Sequence, residues 1–181
     1  MAKKQHTIVV SPEATAAYAW LARPDEGQEF SDGKYKVTLV IDKDHDEFFN
    51  KVQALSDEVA TKEFGKVPNN MRYCMKDGDD TEKEEFAGKI LIVAKTKYQP
   101  GFVDADKKPL DDEVFPMSGD VVRASFALIP YKAGGNVGVT AQLRNVMLIE
   151  KRNTGNTSDD FADVQATEVA SNDQDDDDFD L

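Results

Sequence analysis

From Lys34 to Ile41 the side chains alternate: Tyr35, Val37, Leu39 and Ile41 fall on one face, and Lys34, Lys36 and Thr38 on the other. That period of two marks a strand with one face in a core and one in water. Related patterns run through residues 89–97, 120–129 and 137–149, with weaker ones at 7–10 and 18–22. Pro130, which cannot donate to a ladder, is expected to end the strand over 120–129. Ala133-Gly134-Gly135-Asn136 then reads as a flexible loop. One stretch changes period: Phe48, Val52, Leu55 and Val59 are spaced for one helical face, which predicts a helix over 46–64 with Asp44 as N-cap and Gly65 as its stop. The charged stretch Asp77–Glu85, containing Gly78, is expected to be an exposed loop.

Many short strands around a single helix argue against a doubly wound sheet, in which helices alternate with strands. They favour a small closed barrel. The expected fold is mainly β: an OB-fold, a five-stranded Greek-key barrel, carrying one main α-helix.

The pattern stops after Glu150-Lys151-Arg152. Beyond it come Asn153-Thr154-Gly155-Asn156-Thr157-Ser158 and then acids with few apolar residues, a composition that cannot bury enough surface to offset its ordering entropy. Residues 1–152 are therefore read as the folded domain and 153–181 as a disordered acidic tail. This division changes the meaning of the charge. The chain as a whole carries −13, with 35 acids against 22 bases, which would discourage a nucleic-acid partner. Ten of those acids and none of the bases lie from Asn153 onward, leaving residues 1–152 close to neutral.

Apolar runs such as Ile90–Ala94 are too short to cross a bilayer, and no apolar stretch follows Lys3 and Lys4 to make a secretory leader. A cytoplasmic setting is expected. Cys74 is the single cysteine and His6 and His45 the two histidines, so neither an internal disulfide nor a structural zinc site is expected, and no cofactor is implied. Enzymatic motifs are missing too: no nucleophile elbow, no phosphate-cradling glycine loop, no paired carboxylates at metal spacing. Gly78 stands at the second position of its acidic stretch, where a calcium loop needs glycine at the sixth.

What the sequence does offer is aromatic residues interleaved with bases. Tyr18 and Trp20 precede Arg23; Lys34 and Lys36 flank Tyr35; Arg72 adjoins Tyr73; Lys95 and Lys97 lead to Tyr98 and Phe102; Tyr131 adjoins Lys132. Single-stranded nucleic acid is bound by this combination, since bases stack on rings while Lys and Arg follow phosphates. Individual members have plainer explanations. Tyr35 shares the face of Val37 and Leu39 and is expected in the core, and Trp20 is balanced between core and surface. A strand ending in Lys95 and Lys97 also suits a solvated edge. Tyr131 and Lys132, next to a glycine loop, are the better binding candidates.

At the C-terminus, Asp175-Asp176-Asp177-Asp178-Phe179-Asp180-Leu181 sets two apolar side chains among acids. Such a peptide suits docking to a partner, with acids steering and Phe179 anchoring. Tethered to a cationic groove, it also competes with DNA at high effective concentration.

Several of these segments, in order, resemble the replicative single-stranded-DNA-binding proteins of tailed phages, the T-seven type. They are Met1-Ala2-Lys3-Lys4, the stretch from Tyr18 to Gly27, Gly33-Lys34-Tyr35-Lys36-Val37, Leu128-Ile129-Pro130-Tyr131-Lys132, and Leu143 to Glu150, closed by the acidic tail. The resemblance implies an OB-fold and sequence-independent binding of single strands in phage DNA replication, recombination and repair. It also implies a host-cytoplasmic location and a tail that contacts the phage DNA polymerase and helicase-primase. Tyr131 would be a stacking residue and Lys3, with Lys4 beside it, a phosphate contact; a homodimer is compatible with it. Two departures stand out: the tail ends Phe179-Asp180-Leu181 rather than on an aromatic, and Asp32 stands where relatives can carry a base. A rival reading is a β-barrel interaction protein whose acidic tail mimics nucleic acid to inhibit another protein; it predicts no affinity for oligo-dT.

Overall fold

In the computed structural model, which describes residues 6–26 and 31–152, the alternating segments become strands. They run β1 (Thr7–Val10), β2 (Ala14–Trp20), β3 (Tyr35–Asp42), α1 (Asp46–Phe64), β4 (Met75–Asp77), β5 (Lys89–Thr96), β6 (Gly101–Val103), β7 (Val121–Ala133) and β8 (Asn136–Glu150). Pairing passes from β7 through β2, β3 and β5 to β8, and the β7–β8 hairpin returns it to β7. Five strands thus close a ring. All its pairs are antiparallel except β5–β8, joined in parallel at Ala94–Ala141 and Lys95–Gln142. This is the Greek-key barrel of an OB-fold, as the patterning predicts. The short strands β1, β4 and β6 are added to β7, β5 and β8 respectively.

Alternation fills the barrel. Val37, Leu39 and Ile41 of β3, Ile92 and Ala94 of β5, and Phe126 and Leu128 of β7 are buried in one core with Val139, Ala141 and Leu143 of β8. Helix α1 lies against β7, β8 and β1. It buries Val52, Ser56 and Ala60 at four-residue spacing, and Ser56 satisfies its hydroxyl on the Val52 carbonyl at 2.7 Å. The small side chains of Ser56 and Ala60 bring the helix close, while Phe48, Leu55 and Val59 pack at its flanks.

The helix has the predicted bounds and stops at Gly65, but its N-cap is His45 rather than Asp44, with no side-chain capping bond. Asp46 and Glu47 in the first turn and Lys62 in the last complement the helix dipole instead. The Asp77–Glu85 stretch is more ordered than a loop. It carries two 3-10 turns, at Gly78–Thr81 and Glu84–Phe86, and Lys43 ties it to β3's end through Asp77 and Asp79.

Two expectations about the β7–β8 hairpin are corrected. β7 does not end at Pro130 but continues to Ala133, with Pro130 opposite Val139. Among the described residues the pairing of β1 with β7 ends at Leu128, short of Pro130, whose missing N–H therefore breaks no bond of that pairing. Nor is Ala133–Asn136 a loose loop. Gly134 and Gly135 take φ of 54° and 84°, the double positive φ of a type I′ turn, and Ala133 pairs directly with Asn136.

Candidate nucleic-acid interface

The outer face of the barrel gathers the basic and aromatic residues because β-pairing aligns them in a row. Trp20 of β2 lies opposite Lys36 of β3, Lys36 opposite Lys95 of β5, and Lys95 opposite Gln142 of β8. Trp20 joins this row only through a bulge. Between the Ala17–Thr38 and Trp20–Lys36 pairs β2 advances three residues and β3 two. Without the extra residue, alternation would turn Trp20 to the face opposite Ala17; with it, Trp20 returns to the outer face beside Lys36. Tyr18, inside the bulge, takes φ 47°.

Beside the row is a cleft of about 330 Å³ lined by Lys34, Lys95, Lys97, Tyr98, Thr140 and Gln142, among others. Lys97 is exposed and Tyr98 is 77% exposed, an open ring in a basic cleft. At the other side of the row, Arg23 lies 5.8 Å from the Trp20 ring centroid. Both line a cavity of about 660 Å³ with Phe115, Met117 and Lys151. Below Gln142 the same outer face of β8 continues through Thr140, opposite Ile129, to Gly138, opposite Tyr131. Four residues of strand put Gly138 roughly 13 Å from Gln142.

Arg72 reaches this lower end by backbone pairing. Its N–H donates to the Val137 carbonyl and its carbonyl accepts from Val139, both at 2.9 Å. A Cβ on Gly138 would lie 2.5 Å from the Arg72 carbonyl oxygen and 2.9 Å from the Tyr131 hydroxyl. The glycine therefore lets the exposed Arg72 and the half-buried Tyr131 converge. Lys132 is exposed next to the hairpin turn.

Other sequence-predicted residues are placed differently. Tyr73 is turned to the helix, its hydroxyl donating to Asp57; that hydrogen bond, aided by burial and the carboxylate's charge, pushes the phenol up to about 12. Lys36 is not a free cation. Its ammonium sits 2.6 Å from Asp25 and 3.4 Å from Asp32. Lys3 and Lys4, and the tail residues Asp175 to Leu181, lie outside the described residues.

Asp32 was legible only as an anomaly. Its carboxylate accepts from Lys95 Nζ at 3.1 Å and from the Lys34 N–H at 3.2 Å, besides Lys36. Burial works against its ionisation, but the Lys95 and Lys34 hydrogen bonds and the nearby ammonium charges outweigh it and hold the carboxyl down at about 2. A depressed carboxylate stabilises only while ionised. This clamp is complete above the ordinary carboxyl range and is lost only as pH falls toward about 2. Gln142 and Thr140 escaped the sequence reading, although alternation between Ala141 and Leu143 already points Gln142 outward.

Among the described residues, no cluster of three His, Cys, Asp or Glu side chains could hold a metal ion. The buried Asp120 accepts from Lys151 Nζ at 2.7 Å and from the Arg152 N–H at 2.8 Å. Lys151, held in this way, lines the cavity of Trp20 and Arg23.

A closed OB barrel with cations and rings on its strand face and neighbouring loops defines an oligonucleotide-binding class of protein. The family model described as the Enterobacter phage Enc34 ssDNA-binding protein matches residues 7–179, and the chain belongs to this family of phage single-stranded-DNA-binding proteins. The single-stranded DNA-binding protein of Escherichia phage T7 is 31% identical over 201 aligned positions, covering 90% of this chain and 83% of that protein. Among solved structures, the bacteriophage Enc34 protein in complex with single-stranded DNA superposes with a TM-score of 0.67 at 20% identity, over 80% of this chain and 86% of that one. Bacteriophage T7 gp2.5 gives 0.62 at 26% identity, over 83% and 93%.

Proposed function

We propose that this protein binds single-stranded DNA without sequence preference along the outer face from Trp20 to Tyr131, serving phage DNA replication, recombination and repair as a binding protein rather than an enzyme. The observation that carries this reading is the Trp20–Lys36–Lys95–Gln142 row with Lys34, Lys97 and Tyr98 beside it. Rings there meet bases of any identity through their faces, and ammonium groups meet phosphates. Family membership supports it. Neither kind of contact reads a base edge, so sequence independence follows.

In the free protein Asp25 and Asp32 occupy the ammonium groups that phosphates would use. Asp32→Asn is expected to tighten oligo-dT binding about three- to tenfold at low salt, and to steepen the salt dependence by about one phosphate contact. Fluorescence anisotropy over a salt series measures both.

The acidic residues 159–180 compete for the same face, because they follow closely on Lys151, which Asp120 holds and which lines the cavity of Trp20. The terminal Asp175–Leu181 peptide recruits the phage polymerase and helicase-primase; the host cytoplasm is the setting, and a homodimer fits the same scheme. Removing residues 160–181 is expected to tighten oligo-dT binding at least tenfold at low salt. The gain should shrink as salt rises, since screening weakens a charged competitor. A shortened protein that bound more weakly would contradict the tail's role. No binding by either form would instead favour the nucleic-acid-mimic reading.

A further inference from the structure

The barrel's outer face carries a second aromatic position away from the lysine cleft. Tyr18 is 52% exposed and has φ 47°, a backbone conformation that bulky L-residues rarely adopt and that usually persists where a function requires it. Its ring stands edge-on to the buried Phe86, with centroids 6.2 Å apart. Lys83 holds it from the other element, donating to the hydroxyl at 2.6 Å with its ammonium 5.1 Å from the ring centroid. A cavity of about 520 Å³ opens alongside, walled by Ala17, Val40 and Phe86. The ring is therefore fixed at its tip and edge, half open, and next to an apolar recess.

We propose that Tyr18 and this recess form a stacking subsite for an unpaired nucleobase, lying two residues along β2 from Trp20 and extending the DNA track across the barrel. This rests on the single-strand-binding reading above. The ligand part is the base and not its phosphate. Lys83 is already bonded to the Tyr18 hydroxyl and is flanked in sequence by Glu82, Glu84 and Glu85, and Lys89, which lines the recess together with Glu85, is paired with Asp42, so the local charge does not favour an anion. The recess is lined mainly by carbon, which suits a flat heterocycle. The strain at Tyr18 then serves two ends at once: the bulge returns Trp20 to the outer face, and it leaves the Tyr18 ring half exposed against Phe86.

The test uses the full chain and oligo-dT of increasing length. Tyr18→Gly keeps a residue at ease at positive φ and removes the ring. It is expected to weaken binding about fivefold or more, the lower end for one stacked base, on oligonucleotides long enough to span both positions. The shortest oligonucleotides that bind should be unaffected, and the salt slope unchanged. Tyr18→Phe, which keeps the ring, should stay within about twofold of the parent. Ultraviolet cross-linking of the unaltered protein to iododeoxyuridine-substituted oligo-dT should give an adduct on the peptide containing Tyr18, a readout independent of how well the glycine variant folds. Equal binding by Tyr18→Gly at every length, a loss accompanied by a shallower salt slope, or no adduct on that peptide would overturn the subsite. If the parent itself fails to bind oligo-dT, the failure belongs to the broader reading.

Discussion

Replacing Lys34, Lys95 and Lys97 together by glutamine is expected to lower oligo-dT affinity by about two decades near 50 mM salt, with the deficit closing toward 1 M. The three side chains line one cleft beside Tyr98. Each phosphate contact on a single strand contributes a slope of about 0.7 in log affinity against log salt. Lys95 is partly neutralised by Asp32, so the triple change should remove close to two contacts' worth of slope rather than three. The lysines are half-buried or exposed on an outer face, and glutamine keeps most of each aliphatic stem. The fold should survive, which an unchanged melting temperature would verify. A fall in affinity that persisted at high salt would mean that these residues shape the site instead of meeting phosphates.

The second large effect is on stability. Gly138→Ala should cost about 2–4 kcal/mol, lowering the melting temperature by roughly 5–10 °C. The added Cβ would meet a backbone oxygen, that of Arg72, at 2.5 Å, as well as the Tyr131 hydroxyl at 2.9 Å. A carbonyl in a paired segment cannot swing aside as a side-chain tip can. Relief requires parting the segment at Arg72 from β8 and giving up its two 2.9 Å hydrogen bonds, at about 1 kcal/mol each beyond the packing strain. Thr140→Ala, two residues along and exposed, should stay within about 0.5 kcal/mol. Because Tyr131 shares the crowded spot, Gly138→Ala is also expected to weaken DNA binding, whereas Thr140→Ala tests the cleft without disturbing Arg72. Thermal melts and oligo-dT titrations on the two variants separate these roles.

The barrel was legible because alternation survives wherever one face is buried. Lys34 to Ile41 placed Val37, Leu39 and Ile41 in the core correctly, but Thr38, expected in water, is buried, as is Val40 beside Phe86 and Leu91, while Tyr35, expected in the core, is half-buried; helix α1 was bounded by a change of period and by Gly65. The misses have local causes. β4 and β6 are three residues each, too short for a period to register. Pro130 reads as a stop because pairing partners are invisible in sequence; among the described residues β1 pairs with β7 only as far as Leu128, short of the proline.

The site was harder to read than the fold. Lysines on the β3 and β5 patterns could be seen to face outward, but not that Lys36 and Lys95 are directly opposed, since register depends on the whole ring. The bulge at Tyr18 was unreadable for a similar reason: one extra residue changes which face Trp20 occupies, and nothing in Ala17-Tyr18-Ala19-Trp20 announces it. Asp32 was noticed as an acid in a basic setting. Its clamp on three lysine residues emerged only when the loop before β3 was brought back over β5.

A chemical-shift titration of the 15N-labelled protein with oligo-dT locates the DNA on the barrel. Perturbations should centre on Trp20, Lys36, Lys95, Gln142 and Gly138, with the Trp20 indole among the most affected signals and α1 and β1 nearly silent. Shifts concentrated on α1 and β1, with the Trp20–Gln142 row unmoved at saturation, would place the DNA elsewhere on the protein.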